Sequence, residues 1–398
     1  MRILLVTKKS PFPSRDGEAI ALRNMMDQYL MLGWQVDMLC MITPKHPYRI
    51  ADQPEQATYN MVRFTEVYAD TSPGKWSGLL NLLGKWSYHM QRFDQPAFRQ
   101  ALAVLLQERN YDVVQLEGLF MLNYLSVIRL KSSARIIYRS HNIEGNIWKR
   151  LAMQEAGIWK KWYLRIQADR LLEAERHLQD QVDFILSISV SDVSAYRQYS
   201  PKEKIAYLPT GFDFPEPGPP PIRPDIYFIG ALDWMPNIQG LRRFLQEAWP
   251  VVLETHPDAK LYVAGRHAPV RFEEELPDGV SYLGEIEDAS RFVHDHAICI
   301  VPLWAGSGLK IKIVEALATG KPLVTTPVGM EGLPSGLEEF VIVEQDTGKM
   351  ARRLAGWITD WPVPAEMAGR ASQLVRHTLS NEAVQGQLKT ILRQWNLA

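Results

Sequence analysis

Six residues between Cys299 and Leu333 have the types and spacing to hold a diphosphate and the ribose behind it. They are Gly306, Ser307 and Gly308, then Lys310, Lys312 and Glu315. A glycine loop that feeds a helix presents unpaired N–H groups and the positive end of a helix dipole, which suits phosphate oxygens. Lys310 and Lys312 add cationic charge at that entrance. Glu315 follows Lys312 by three residues, on a similar helix face. A carboxylate one turn past a phosphate site can accept both hydrogens of a ribose diol. The group reads as a nucleoside diphosphate clamp. The same spacing also fits a plain helix–strand unit with solvated lysines and a surface glutamate.

The elements that must position these residues are legible around them. Residues 299–303 form a short apolar strand end. Ile311, Val314, Leu317 and Ala318 recur at helical spacing, so a helix starts near Leu309. Gly320 is a natural stop for it, and residues 323–326 form the next strand. Other polar clusters also follow strands. The apolar run 3–6 opens into a loop ending at Asp16 and Gly17, before an amphipathic helix and a second strand at 36–40. Strand 111–116 delivers Glu117, and strand 134–139 delivers His141 and Glu144. Strand 225–230 ends on Gly230, with Asn237 in the loop beyond, and strand 260–264 leads to Arg266. In open α/β sheets, ligands bind outside the carboxyl ends of strands. Each cluster also has a bland reading: an ordinary βα turn, or a structural histidine.

The stretch GSGxxxKxxEAxxxGKPxVxTxxGxEG resembles the donor-binding segment of retaining GT-B glycosyltransferases of the family 4 type. FIGALDWMPNxxGLRxFL is similar to the first strand and loop of their C-terminal domains, and HNxE at 141–144 resembles their HN motif. The resemblance covers nearly the whole chain. It implies two Rossmann-like α/β domains facing across a cleft. It also implies Glu315 on the ribose, His141 and Glu144 on the sugar side, Asp16 and Gly17 near the acceptor or donor sugar, and Gly230 where backbone approaches the donor. The family's EX7E motif has its first glutamate where this chain has Ser307. The Arg/Lys pair that many relatives place on the diphosphate is replaced here by Asp233, Trp234 and Asn237, which leaves Arg266 as the candidate cation.

Composition sets the outer bounds. The 398 residues are 46% hydrophobic and 22% charged, with a net charge of -1, so two or three soluble domains are expected and no general polyanion partner is implied. Cys40 and Cys299 sit in apolar runs and read as buried thiols in a reducing cytoplasm. The opening run is too short for a signal peptide core, and no stretch is long enough to span a bilayer. The expected location is therefore cytoplasmic, with peripheral contact on the inner membrane face left open. That contact rests on residues 74–93, where Trp76, Leu79, Leu80, Leu82, Leu83 and Trp86 are framed by Lys75, Lys85 and Arg92. Such a segment fits a membrane interface, or a core-packing helix with an awkward loop. The cation-rich stretch 148–181, largely helical by its pattern, fits anionic lipid or glycan phosphate, or a solvated helix face.

The domain reading follows. Residues 1–213 form an N-terminal acceptor domain, 214–224 a proline-rich linker, and 225–379 a C-terminal nucleotide-sugar domain. Residues 380–398 form a final helix that packs back on the N-terminal domain. Residues 44–72 read as irregular, strand 182–189 as the last of the first domain, and Ser191-Asp192 as the cap of a short helix. The expected activity is metal-independent transfer of a sugar from a nucleotide diphosphate sugar to a glycan or lipid-linked acceptor, with retention, no cofactor and no nucleic acid. No DxD motif is present. Two alternatives are a sugar-nucleotide epimerase of the same fold and a non-catalytic nucleotide-sugar-binding subunit. A nicotinamide oxidoreductase is disfavoured because GxGxxG is absent.

Overall fold

The computed structural model describes residues 1–14, 16–219, 221–305 and 309–397, without the side chains of Lys75, Trp76, Leu79, Gln154 and Gln179. The chain divides into two units: Met1–Gly211 together with Val384–Ala398, and Phe212–Ala383.

The first unit holds seven strands: β1 (Arg2–Thr7), β2 (Gln35–Ile42), β3 (Arg63–Tyr68), β4 (Val113–Glu117), β5 (Arg135–Ser140), β6 (Phe184–Ser187) and β7 (Ile205–Tyr207). All pair in parallel, in the order β3-β2-β1-β4-β5-β6-β7. Alternation along β1 shows why this sheet is covered on both faces. Leu4 and Val6 enter one buried cluster, while Ile3 and Leu5 enter another. The second cluster is completed by the C-terminal helix, through Val384, Leu388, Ile391 and Leu392. Trp395 then stacks on Phe184 at 4.3 Å and donates its indole N–H to the Glu203 carbonyl at 2.9 Å.

The second unit holds β8 (Ile226–Ile229), β9 (Leu261–Ala264), β10 (Val280–Tyr282), β11 (Ile298–Val301), β12 (Leu323–Thr325) and β13 (Ile342–Val343). They form a parallel sheet in the order β10-β9-β8-β11-β12-β13. In each sheet the order reverses direction once, between β1 and β4 and between β8 and β11. Such switch points open a crevice at the strand C-termini.

Several expectations are corrected. The segment read as irregular contains β3, whose Arg63, Thr65 and Glu66 lie on a partly exposed edge strand and hide the apolar signal. The first sheet does not end at β6, because the three-residue β7 adds to its edge. The helical stretch from Trp148 to Gln181 is three helices, Glu144–Gln154, Ile158–Arg176 and the short Leu178–Gln181, with the first break at 155–157 around Gly157. Ser191 and Asp192 sit inside the helix Val190–Tyr196, whose N-cap is Ser189. The proline-rich run is pinned along the second unit. Arg376 donates to the Pro215 carbonyl, and Trp361 donates to that of Pro221 at 3.1 Å. Among the described residues, no helix is long and apolar enough to cross a membrane.

Candidate functional site

In the second unit the switch point gathers residues from three segments. β8 runs directly into Gly230, whose N–H is held by the Ala264 carbonyl at 3.0 Å. Asn237 sits buried in the helix Met235–Arg243 and donates its amide to the Ala231 carbonyl at 2.8 Å. That bond leaves its side-chain oxygen to accept from Lys312 Nζ at 2.5 Å. Lys312 lies in the first turn of the helix Ile311–Ala318, and its ammonium also stands 4.8 Å over the Phe228 ring. A Cβ at Gly230 would come within 3.0 Å of both Lys312 Nζ and Asn237 Nδ2, so the glycine makes room for this pair. Burial pushes the Lys312 ammonium down to about 8, and the neighbouring Lys310 adds to the shift.

Lys310 is the N-cap residue of the same helix and is buried. Among the described residues, no side-chain hydrogen bond caps this helix. Its Nζ lies 4.0 Å from Glu331, a residue the sequence reading did not single out. Glu315 lies on the open side of the helix, and the protein packed around its carboxyl raises its pKa. Arg266 is exposed beyond β9. The structure thus brings together Gly230, Asn237 and Lys312, with Lys310 close by. Among the described residues, Arg266 and Glu315 share no hydrogen bond or ion pair with that trio. Gly306, Ser307 and Gly308 lie outside the described residues.

In the first unit a second polar cluster sits at the ends of β1, β4 and β5. The register sets Thr7 beside Glu117 and Glu117 beside Arg139. Glu117 is fully buried. Its Oε2 meets His141 Nε2 at 2.6 Å and Arg139 Nη1 at 3.4 Å, while its Oε1 accepts from Gln115 at 2.6 Å. Gln115 in turn accepts from the Tyr29 hydroxyl at 2.6 Å. Burial alone would raise the Glu117 carboxyl, but Arg139 and His141 hold it below the usual range. This relay fixes the imidazole through Nε2 and leaves Nδ1 for other work.

The two other catalytic candidates of this unit differ from each other. Asp16 caps the helix Gly17–Met31, accepting the Ala19 N–H at 3.0 Å, and it pairs with Lys9 at 2.5 Å. These bonds outweigh partial burial and keep its pKa low. Asp16 and Gly17 therefore build the helix entrance. Glu144 is raised by burial, against the pull of Lys8 and with the push of Glu18. Lys8 and Glu18 form their own pair at 3.2 Å. Burial works to lower Lys8, and the carboxylates of Glu18 and Glu144 more than offset it. The backbone N–H groups of Glu144 and Gly145 are capped by the buried Glu175 carboxyl at 2.7 and 3.2 Å. Burial pushes Glu175 up to about 8. Lys8, Glu18, Arg139 and Glu175 were not singled out from sequence. Glu117 was marked only by its place at a strand end.

The two parallel sheets with their switch points define a two-domain GT-B fold. The solved sucrose-phosphate synthase of Thermosynechococcus elongatus shares that fold at TM-score 0.71 and 18% identity, covering 100% of this chain and 99% of the other. The family model described as Glycosyl transferases group 1 matches residues 223–360. A 44.6 kDa uncharacterized protein of the Klebsiella pneumoniae cps region is 22% identical over 96% of this chain and 97% of its own length. The lipopolysaccharide core biosynthesis mannosyltransferase LpsB of Rhizobium meliloti is 28% identical over 41% of this chain and 50% of its own length. The second unit thus carries a group 1 glycosyl transferase match over residues 223–360, within a chain of GT-B fold.

Proposed function

We propose that the protein moves a sugar from a nucleoside diphosphate sugar to a hydroxyl of a glycan or lipid-linked acceptor, with retention and without a metal. The observation that carries this reading is the Lys312–Asn237–Gly230 arrangement at the β8/β11 switch point. It is a half-buried cation beside a glycine that leaves space, in the first turn of a helix. Cleavage of the anomeric C–O bond leaves the electron pair on the diphosphate. Lys312, Lys310 and the helix N-terminus are preorganised to stabilise that charge. The acceptor oxygen bonds to the anomeric carbon, and its proton passes to the departing phosphate. His141, held by Glu117, supplies a polar group on the sugar side. Glu315 holds the ribose.

Similarity to a lipopolysaccharide mannosyltransferase supports a glycan or lipid-linked acceptor. The protein works on the cytoplasmic side, with peripheral contact to the membrane through the Trp76–Trp86 region. The side chain of Trp76 lies outside the described residues, whereas Trp86 is exposed.

A thermal-shift panel of UDP-, GDP-, ADP- and TDP-sugars tests the donor site. Saturation at a hundredfold the Kd is worth about 2.7 kcal/mol, a rise of roughly 5–10 °C. Product analysis with a chelator present tests the chemistry. No stabilising donor, or release of a free epimerised sugar without an acceptor, overturns the reading.

A further inference from the structure

The helices Glu144–Gln154 and Ile158–Arg176 pack into a hairpin whose turn, 155–157, projects an apolar tip. Ile158 is 80% exposed, Trp159 84% and Trp162 53%. Leu151 and Met153 are exposed on the facing helix. Folding gains nothing from leaving two indoles in water, and a contiguous exposed patch of this kind marks a contact surface. Residues 149–165 also carry Lys149, Arg150, Lys160, Lys161 and Arg165 against the lone acid Glu155, which pairs with Lys160 at 2.6 Å. That local net charge of +4 stands in a chain whose total is -1.

The segment proposed to touch the membrane braces against the same helix. Arg170 donates to the carbonyls of Asn81 at 3.0 Å and Leu82 at 2.9 Å, and Gly78 approaches the Tyr163 hydroxyl. Leu80, Leu83 and Trp86 of that segment are themselves exposed.

We infer that the 155–162 hairpin tip is a docking element for an anionic lipid bilayer. Ile158, Trp159 and Trp162 enter the interface, while the flanking lysines and arginines meet lipid phosphates. Tryptophan favours the interface because its ring is apolar and its N–H is polar. Cations on both sides of the tip match the negative surface potential of an anionic leaflet. A second copy of the chain is a poor occupant, because a two-fold contact would set this net positive patch against itself. The inference deepens the peripheral part of the proposed function and rests on it only for its biological sense. Binding is measured on the full chain with neither donor nor acceptor.

The test is flotation with phosphatidylcholine vesicles, with and without phosphatidylglycerol, at low and high salt. Wild type should bind the anionic vesicles and release in salt. W159A/W162A should bind at least tenfold more weakly. K160Q/K161Q should lose roughly 25-fold, at about fivefold per cation. Both variants change exposed residues, so their melting temperatures should match wild type. Equal binding to neutral vesicles, no binding to anionic ones, or unchanged binding of W159A/W162A overturns the inference. So does light scattering that shows W159A/W162A dissolving a dimer. Transfer to a soluble acceptor should be unaffected by either variant, so a failure here leaves the transfer reading standing.

Discussion

Replacing Glu117 by glutamine isolates the force that holds His141. The wild-type carboxylate and the Arg139 guanidinium are each only 1% exposed, with 3.4 Å between them. Arg139 Nε and Nη2 have no hydrogen-bond partner among the described residues, so Glu117 is the charge that compensates this cation. Removing one partner of a buried ion pair costs about 3–5 kcal/mol, because the other charge stays buried. For a unit of this size each kcal/mol moves the melting temperature by about 2–4 °C. E117Q should therefore melt roughly 6–20 °C lower in a calorimetric scan at neutral pH. The double variant E117Q/R139M should recover most of that loss, because both charges are gone. The pH dependence has a defined sign. A carboxyl held below its unfolded value stabilises the fold above that value and loses the contribution as pH falls through its folded pKa. Wild type should lose this stability on acidification, and E117Q should not. Transfer by E117Q should show a lower kcat with KM for the donor little changed, since His141 loses its tether rather than the donor its clamp. An E117Q melting point within about 4 °C of wild type, or no rescue by R139M, refutes the argument.

Four further outcomes follow from the geometry. Lys312→Met should weaken binding of a nucleotide diphosphate sugar by about 2–3 kcal/mol, roughly 30- to 150-fold by titration calorimetry, since a charge-assisted contact is lost. In wild type, donor binding should weaken as pH rises above about 8 and take up a proton there, because the diphosphate favours the charged ammonium. For the free protein the sign reverses. Above about 8 the unfolded state holds the extra proton, so stability rises toward the unfolded lysine value. E175Q should gain on wild type between pH 5 and 8, measured by chemical denaturation, because the raised Glu175 makes the folded state bind the extra proton in that window. Trp395→Ala should cost about 3–5 kcal/mol in the same measurement, since the ring is buried against Phe184.

The strands that carry the polar clusters were legible because they are buried on both faces. β1, β4 and β5 are dominated by apolar residues, and the polar residues at their ends stand out against them. β3 and β7 were not, one because its edge position tolerates Arg63 and Glu66, the other because three residues make no pattern. His141 and Glu117 could each be placed at a strand end. Their hydrogen bond could not, because it depends on the β4/β5 register. Lys312 and Asn237 are 75 positions apart, and only the sheet order brings them together. Asp16 shows the opposite limit: it reads equally as a residue near the sugar or as part of an ordinary βα turn, and its capping bond to Ala19 emerges only in the fold.

The last residues of the chain close a cluster begun by the first ones, with the whole of 212–383 translated in between. On a ribosome adding about 5–20 residues per second, the opening unit waits roughly 10–35 s for its final helix. Until then the surface that Leu388 and Trp395 will cover faces water. The second sheet has all its own strands before that helix emerges, so the unit translated first is the one that finishes last.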